Sequence, residues 1–126
     1  MDRKYLFTAL VYAIVGLGLG IHMAASQDHG QLVTHAHIML LGFVVSFFYA
    51  LCHKLWLHEA NCRLATLQFY AHQAGTLVLL ICLFLLYARW VPEPVLGPIL
   101  GIASVTVLLG MLAMAVMVVM RRAPGD

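Results

Sequence analysis

Four histidines of this sequence stand in apolar stretches, where an imidazole has little water around it. They are His22, His35, His37 and His72. A neutral imidazole still needs a partner for its N–H group and for its lone pair. That partner could be a metal ion, another polar side chain or water in a cavity. Because ionisable groups in apolar surroundings are costly and usually functional, these histidines are the first candidates for chemistry.

The composition places the histidines in a membrane protein. Of the 126 residues, 63% are hydrophobic and 10% are charged, and the mean hydropathy is +0.96. A soluble domain with so much apolar surface would have too little polar surface to face water. The net charge of +2 is small, and the basic residues stand at the ends of apolar segments, so we expect no nucleic-acid partner. The sequence therefore predicts an integral membrane protein in contact with the lipid bilayer.

Four stretches contain the roughly 20 apolar residues that a membrane-spanning helix needs. They cover residues 5–25, 32–57, 64–88 and 95–120. Each must be helical, because an open strand would leave backbone amides unpaired in lipid. The links are short, so we expect a single all-α domain over residues 1–126, an integral membrane four-helix bundle.

The positions of the basic residues predict the topology. Arg3 and Lys4 precede the first span, and Lys54 and Arg63 flank the second link, whereas the first link, "SQDHGQ", has no Lys or Arg. The positive-inside rule then puts both termini in the cytoplasm. We expect a multi-pass protein of a bacterial-type inner (cytoplasmic) membrane. Four helices enclose little on their own, so we also expect a homo-oligomer.

Small and polar residues at helical spacing predict which helix faces contact other helices. The predicted faces are Gly16 and Gly20 in span one; His35, Met39, Gly42, Ser46 and Tyr49 in span two; Gln68, His72, Gly75, Thr76 and Leu79 in span three; and Gly97, Gly101, Ser104, Leu108 and Met111 in span four. His37 points about 200° round the helix from His35, toward lipid or a neighbouring subunit.

Depth in the membrane decides which histidines could share a cofactor. At about 1.5 Å of rise per residue, His22, His35 and His37 lie about 10 to 13 Å outward of the membrane middle, and His72 lies about 6 Å inward. The two axial ligands of one heme face each other across the ring and need similar depth. A pair of His22 with His35 or with His37 is therefore favoured, and a pair of His35 with His72 is disfavoured by roughly 19 Å of depth. His72 then needs a second cofactor, a polar contact or a neighbouring subunit.

The segment "THAHIMLLGFVVSFFYALCHKLW" resembles the second transmembrane helix of subunit I in the heme-copper oxidase and nitric-oxide reductase superfamily. His35 and Met39 match the H-x-x-x-M pattern around the low-spin heme ligand of that helix. The string "HAHIMLLGF" is also similar to "HAHEMLFGF" of the NnrS family, membrane proteins associated with heme and nitric-oxide stress. The segment "LQFYAHQAG" has a looser likeness to the third helix of reductase-type subunits.

The resemblance implies heme b with His35 as an axial ligand. In that superfamily the second low-spin ligand and the catalytic centre come from later helices, for which this sequence has no counterpart. Catalysis by this chain alone is therefore not implied. The sixth ligand would come from His22, His37, His72 or another subunit.

Three hypotheses follow from the histidines. The first is a small membrane b-type cytochrome that uses His35 with His22, His37 or His72 and either transfers electrons to or from a redox partner or senses NO or O₂. The second is a protein without heme that holds zinc or copper through His22, His35 and His37. The third is a structural or assembly subunit, in which the histidines make polar contacts between helices.

Overall fold

A computed structural model describes residues 1–57 and 63–121 of the chain. The described residues form four helices: α1 (Asp2–Ser26), α2 (Leu32–Leu55), α3 (Arg63–Tyr87) and α4 (Glu93–Met120). Each helix is long and apolar enough to cross a membrane, as expected of a multi-pass membrane protein. The four predicted spans match these helices within three residues at every end.

The helices run alternately up and down. α1 packs along α2, and α3 packs along α4. The start of α1, the residues after α2, the start of α3 and the end of α4 meet in one apolar cluster, which includes Tyr5, Leu57, Ala65 and Met117. Both ends of the described chain therefore lie at the same end of the bundle, which we call the terminal end.

Helix α2 contains a π-helical segment, Ile38–Val45. A π-helix closes its hydrogen bonds from residue i to i+5 and so places more residues in each turn than an α-helix. Residues after the segment are rotated from the positions they would have in a continuous α-helix. Accordingly, His35 before it contacts α1, whereas Ser46 after it contacts α3. The α-helical pattern predicted both residues on one stripe, but these two residues contact different helices, and Tyr49, also after the segment, packs against Tyr5 of α1.

The predicted faces of the first three helices are confirmed as contact faces. All five residues predicted for α3 are buried, namely Gln68, His72, Gly75, Thr76 and Leu79. In α2 the later members of the stripe, Gly42, Ser46 and Tyr49, are buried as well. These helices meet their neighbours through small and polar side chains, as packing inside a membrane favours.

The face predicted for α4 is wrong for most of its residues, although the sulfur of Met111 does accept a hydrogen bond from Tyr49 of α2. Gly101, Ser104, Leu108 and Met111 are exposed, and the buried residues are Leu96, Ala103, Gly110, Met114 and Met117. The close approach to α3 occurs at Gly110, where an added Cβ would lie 3.6 Å from the backbone nitrogen of His72, while Gly101 has open space around it. Ser104 donates its hydroxyl to the Leu100 carbonyl of its own helix and needs no partner helix.

The outer surface of the bundle is strongly apolar. On α1, for example, Phe7 is 69% exposed and Ile14 and Ile21 are each 70% exposed. Lipid tails, unlike water, can cover such side chains without cost, so this surface suits contact with a bilayer. Trp56 and Trp90 are also exposed, each just beyond the end of a helix, where tryptophan is typical of the membrane interface.

Candidate functional site

His35 is joined to α1 by a hydrogen bond. Its Nδ1 lies 2.8 Å from the carbonyl oxygen of Gly16. Because a carbonyl oxygen can only accept, Nδ1 must carry the proton in this contact. In the neutral imidazole Nε2 then has a free lone pair. His35 is half-buried, and its Nε2 makes no hydrogen bond to the described part of the chain.

Two glycines of α1 form the surface against which His35 lies. A Cβ added at Gly20 would fall 3.0 Å from Cε1 of His35, and one added at Gly16 would collide with the side chains of Ile38 and Met39. The predicted GxxxG pair therefore accommodates His35 and Met39, the two residues of the H-x-x-x-M match. Gly18, which lies between Gly16 and Gly20 in the sequence, has open space around it. The GxxxG pair of α1 and the H-x-x-x-M residues of α2 therefore contact each other.

His37 is exposed and bonded within its own helix. Its Nδ1 lies 2.8 Å from the carbonyl oxygen of Val33, one turn earlier. As in His35, the carbonyl acceptor requires the proton to be on Nδ1, and the lone pair of Nε2 is therefore free. His22, near the end of α1, is also exposed. Both side chains therefore face outward and are accessible to a neighbouring molecule.

The structure does not bring His22, His35 and His37 together as a three-histidine metal site. Within residues 1–57 and 63–121, no three His, Cys, Asp or Glu side chains lie close enough to hold one metal ion. The reason lies in α2, where His35 turns toward α1 while His37, two residues later, turns outward. A zinc or copper site in one chain would therefore need ligands beyond this set.

His72 lies deep in the bundle and is fully buried. Its Nε2 is 3.0 Å from the Ser46 hydroxyl oxygen. The ring of Tyr49 meets the imidazole edge-on, with ring centroids 4.9 Å apart, and the ring of Tyr5 lies 6.1 Å away. Of the three explanations considered for His72, the structure shows the polar contact with the second span.

Further hydrogen bonds near His72 join the helices to one another. The hydroxyl of Tyr5 donates to Oε1 of Gln68, and Nε2 of Gln68 donates to the carbonyl oxygen of Gly110, 3.2 Å away. Tyr49 donates to the sulfur of Met111, 3.3 Å away. We call the residues Tyr5, Ser46, Tyr49, Gln68 and His72 the polar core. Its hydrogen bonds connect all four helices at one level of the bundle.

Sequence reasoning missed Tyr5 as a member of the polar core. The signal that could have found it is the spacing of the buried residues of α1, which are Tyr5, Ala9, Ala13, Gly16 and Met23. Gly16 and Gly20 mark only the second half of this helical stripe. Extending the stripe to the start of the helix would have placed the Tyr5 hydroxyl inside the bundle.

Two neighbouring atoms of α3 have hydrogen-bonding capacity that the described residues do not use. They are Nδ1 of His72 and Oγ1 of Thr76, on fully buried side chains one turn apart. Buried polar atoms are nearly always paired in native proteins. Both atoms stand next to or within the polar core, so unused hydrogen-bonding capacity remains there in the described part of the chain.

His35 and His72 lie at different depths. The partner of His72 on α2 is Ser46, which follows His35 by eleven residues. At the usual helical rise of about 1.5 Å per residue this separation is about 16 to 17 Å along the axis. The two imidazoles of one chain are thus too far apart to bind opposite sides of the same iron, in agreement with the predicted difference in depth.

Comparisons of this chain with protein-family models, with curated proteins and with solved structures found no match. The likeness of the His35 segment to a subunit I helix therefore remains a prediction.

Proposed function

We propose that this chain is a small membrane b-type cytochrome in which His35 is an axial ligand of the heme iron. The observation that supports this role best is the 2.8 Å contact between Nδ1 of His35 and the Gly16 carbonyl oxygen. Histidines that bind metals almost always donate their other ring N–H to a carbonyl or carboxylate oxygen. Such a bond fixes the tautomer and the ring orientation, and it makes Nε2 a better ligand.

Heme bound at His35 would supply a one-electron couple and a coordination position for a diatomic gas. Residues of α1 would hold His35 in position for either role of the heme. Gly16 holds the proton on Nδ1 of His35, and Gly20 lets the ring approach α1 closely. The function is electron transfer or the sensing of NO or O₂, with a redox partner in the first case and without catalysis by this chain alone.

Electron transfer and gas sensing differ in whether a second axial ligand occupies the heme iron. His72 is held by Ser46 at another depth, and His37 faces away from His35. A homo-oligomer would bring an exposed His22 or His37 to the iron of a neighbouring copy, which suits electron transfer. An open position at the iron suits gas sensing.

The topology belongs to the same proposal. Arg3, Lys4, Lys54 and Arg63 all lie at or near the terminal end of the bundle. At the opposite end, residues 27–31 contain no Lys or Arg, and the link after α3 contains one, Arg89. The positive-inside rule then puts both termini in the cytoplasm of a bacterial-type inner membrane. His35, near the start of α2, lies toward the outer side.

Two other functions draw on specific contacts. The free Nε2 of exposed His37 favours zinc or copper held between copies of the chain, with His35 or His22 as further ligands. The contact between His35 and Gly16 also favours a structural subunit, in which the histidine does no more than join α1 to α2. Neither alternative needs heme, so heme content separates both from the cytochrome.

The experiment compares heme content in matched variants. The protein is expressed with a heme precursor, purified in detergent and assayed as the pyridine hemochrome per chain. His35→Gln keeps a side-chain amide that can donate to the Gly16 carbonyl but provides a poor iron ligand, so the fold should persist while heme is lost. His29→Ala, at an exposed position in the first link, is the control and should keep its heme.

Two results would overturn the proposal. Wild-type protein without heme excludes the cytochrome, and metal analysis of the same sample then separates a zinc or copper protein from a structural subunit. Heme at the wild-type level in His35→Gln would show that another residue is the ligand.

A further inference from the structure

A groove of about 520 Å³ runs between α1 and α2 at the terminal end of the bundle. Its lining combines apolar walls with charged side chains at one end. The residues are Leu6, Phe7, Leu10, Phe47, Ala50 and Leu51 along the walls, and Asp2, Arg3 and Lys54 at the end. This volume is within the usual range for small-molecule sites, about 300 to 1,000 Å³.

The groove opens sideways to the surroundings of the bundle. Ala50, on α2, is a buried lining residue with a short side chain, which leaves room between the helices. Phe7 and Phe47 line it from α1 and α2 and are 69% and 38% exposed. A molecule dissolved in the bilayer can therefore enter from the side, with its apolar part along these side chains.

The charges at the groove's end are mostly positive. Arg3 is in the first turn of α1 and Lys54 is in the last turn of α2, so both stand at the depth of lipid headgroups. The one salt bridge among the described residues joins Asp2 to the N-terminal amine, with 3.9 Å between the charged atoms. Arg3 and Lys54 therefore have no carboxylate within salt-bridge distance in the described part of the chain. The carboxylate of Asp2, at the same end of the groove, interacts electrostatically with both cations at longer range.

We propose that this groove binds an anionic phospholipid, with the headgroup phosphate between Arg3 and Lys54 and an acyl chain along the apolar walls. Two cations above an apolar channel match both parts of such a molecule, and anionic lipids are attracted to Lys and Arg at the membrane surface. A second copy of the chain fits less well, because two copies meeting at this groove would bring Arg3 and Lys54 of both together. The site is distant from His35 and does not depend on heme.

The test is native mass spectrometry of the delipidated protein in detergent. Phosphatidylglycerol and phosphatidylcholine with the same acyl chains are added in equal amounts, and bound lipid is counted per chain. The wild type should bind phosphatidylglycerol in preference. Arg3→Gln/Lys54→Gln should weaken phosphatidylglycerol binding about 25-fold, at about fivefold per cation, and should bind both lipids alike.

The control removes two cations from the same region without touching the groove. Lys4 and Arg63 are exposed and do not line it, so Lys4→Gln/Arg63→Gln should keep the wild-type preference. An equal loss in both double variants would show a general charge effect and overturn the site. All the substituted side chains are exposed, and a thermal melt by circular dichroism checks that the variants are folded.

Three further results would also contradict the proposal. Equal binding of the two lipids by the wild type would mean that the cations do not select the headgroup. Displacement of the lipid by inorganic phosphate would mean that the site recognises free phosphate. A dimer that forms without lipid, and whose amount is changed by the double substitution Arg3→Gln/Lys54→Gln, would mean that a second copy of the chain occupies the groove.

Discussion

The imidazole of His35 lies directly against Gly20 of α1, so that a Cβ added to the glycine would fall 3.0 Å from Cε1 of the ring. One turn earlier in α1, the carbonyl oxygen of Gly16 accepts the hydrogen bond from Nδ1. The same face of α1 thus provides both the space for the ring and the acceptor that orients it. Residue size at Gly20 therefore controls the position of His35.

Gly20→Ala should push the His35 ring away by a few tenths of an ångström, because 3.0 Å is shorter than an ordinary contact between a methyl group and Cε1. Both this variant and Gly18→Ala gain helix propensity from alanine, so we expect Gly20→Ala to be less stable than Gly18→Ala by about 1 kcal/mol and to have a lower heme content. Gly18→Ala is the matched control, since an added Cβ there meets nothing within 4 Å. The two variants are compared by thermal unfolding and by the pyridine hemochrome. Equal behaviour of the two alanine variants would show that the contact is unimportant.

Ser46→Ala should destabilise the bundle by removing the hydrogen-bond partner of a buried histidine. The Nε2 of His72 would lose its contact with the Ser46 hydroxyl, and an unpaired buried polar group costs about 1 to 3 kcal/mol. Ser104→Ala is the control, because that serine is exposed and bonds only to its own helix, and its effect should stay within about 0.5 kcal/mol. Reversible unfolding in mixed detergent measures both. A larger loss for Ser104→Ala than for Ser46→Ala would refute the assignment.

Tyr5→Phe removes only the hydroxyl that donates to Gln68 and leaves the aromatic packing in place. Oε1 of Gln68 would be buried without this donor, so we expect a loss of about 1 to 3 kcal/mol in unfolding free energy. Tyr70→Phe, at a side chain that is 60% exposed, should change stability little. A double-mutant cycle of Tyr5→Phe with Gln68→Leu should give a coupling energy of about 0.5 to 3 kcal/mol. Additive effects of the two substitutions would mean that the hydrogen bond contributes nothing.

The sequence predicted the four helices because a bilayer leaves the backbone few alternatives. It also predicted the contact faces of α1 and α3 and the residues of α2 that contact other helices, since small and polar residues there recur at helical spacing, although it did not predict which helix each α2 residue contacts. In α3 this spacing located both Gln68 and His72 inside the bundle. The contact of these side chains with Tyr5 could not be predicted from the spacing, because it depends on how α1 and α3 are placed against each other.

Two features could not be read from the spacing of residues. The π-segment Ile38–Val45 changes the period within one helix, so a constant period put His35 and Ser46 on the same face. In α4, glycines stand both at the contact with α3 and on the exposed side, as Gly110 and Gly101 do. Glycine allows close approach, but a partner helix decides where that approach occurs.

If His35 binds heme, the detergent-purified wild-type protein should absorb light as a b-type cytochrome does. Its optical spectrum is recorded in the oxidised state and again after reduction with dithionite. We expect a Soret band that shifts on reduction, with the α and β bands of a b-type heme; sharp, split bands would indicate two axial ligands. A colourless protein, expressed with ample heme and shown to be folded, would mean that His35 is not a heme ligand.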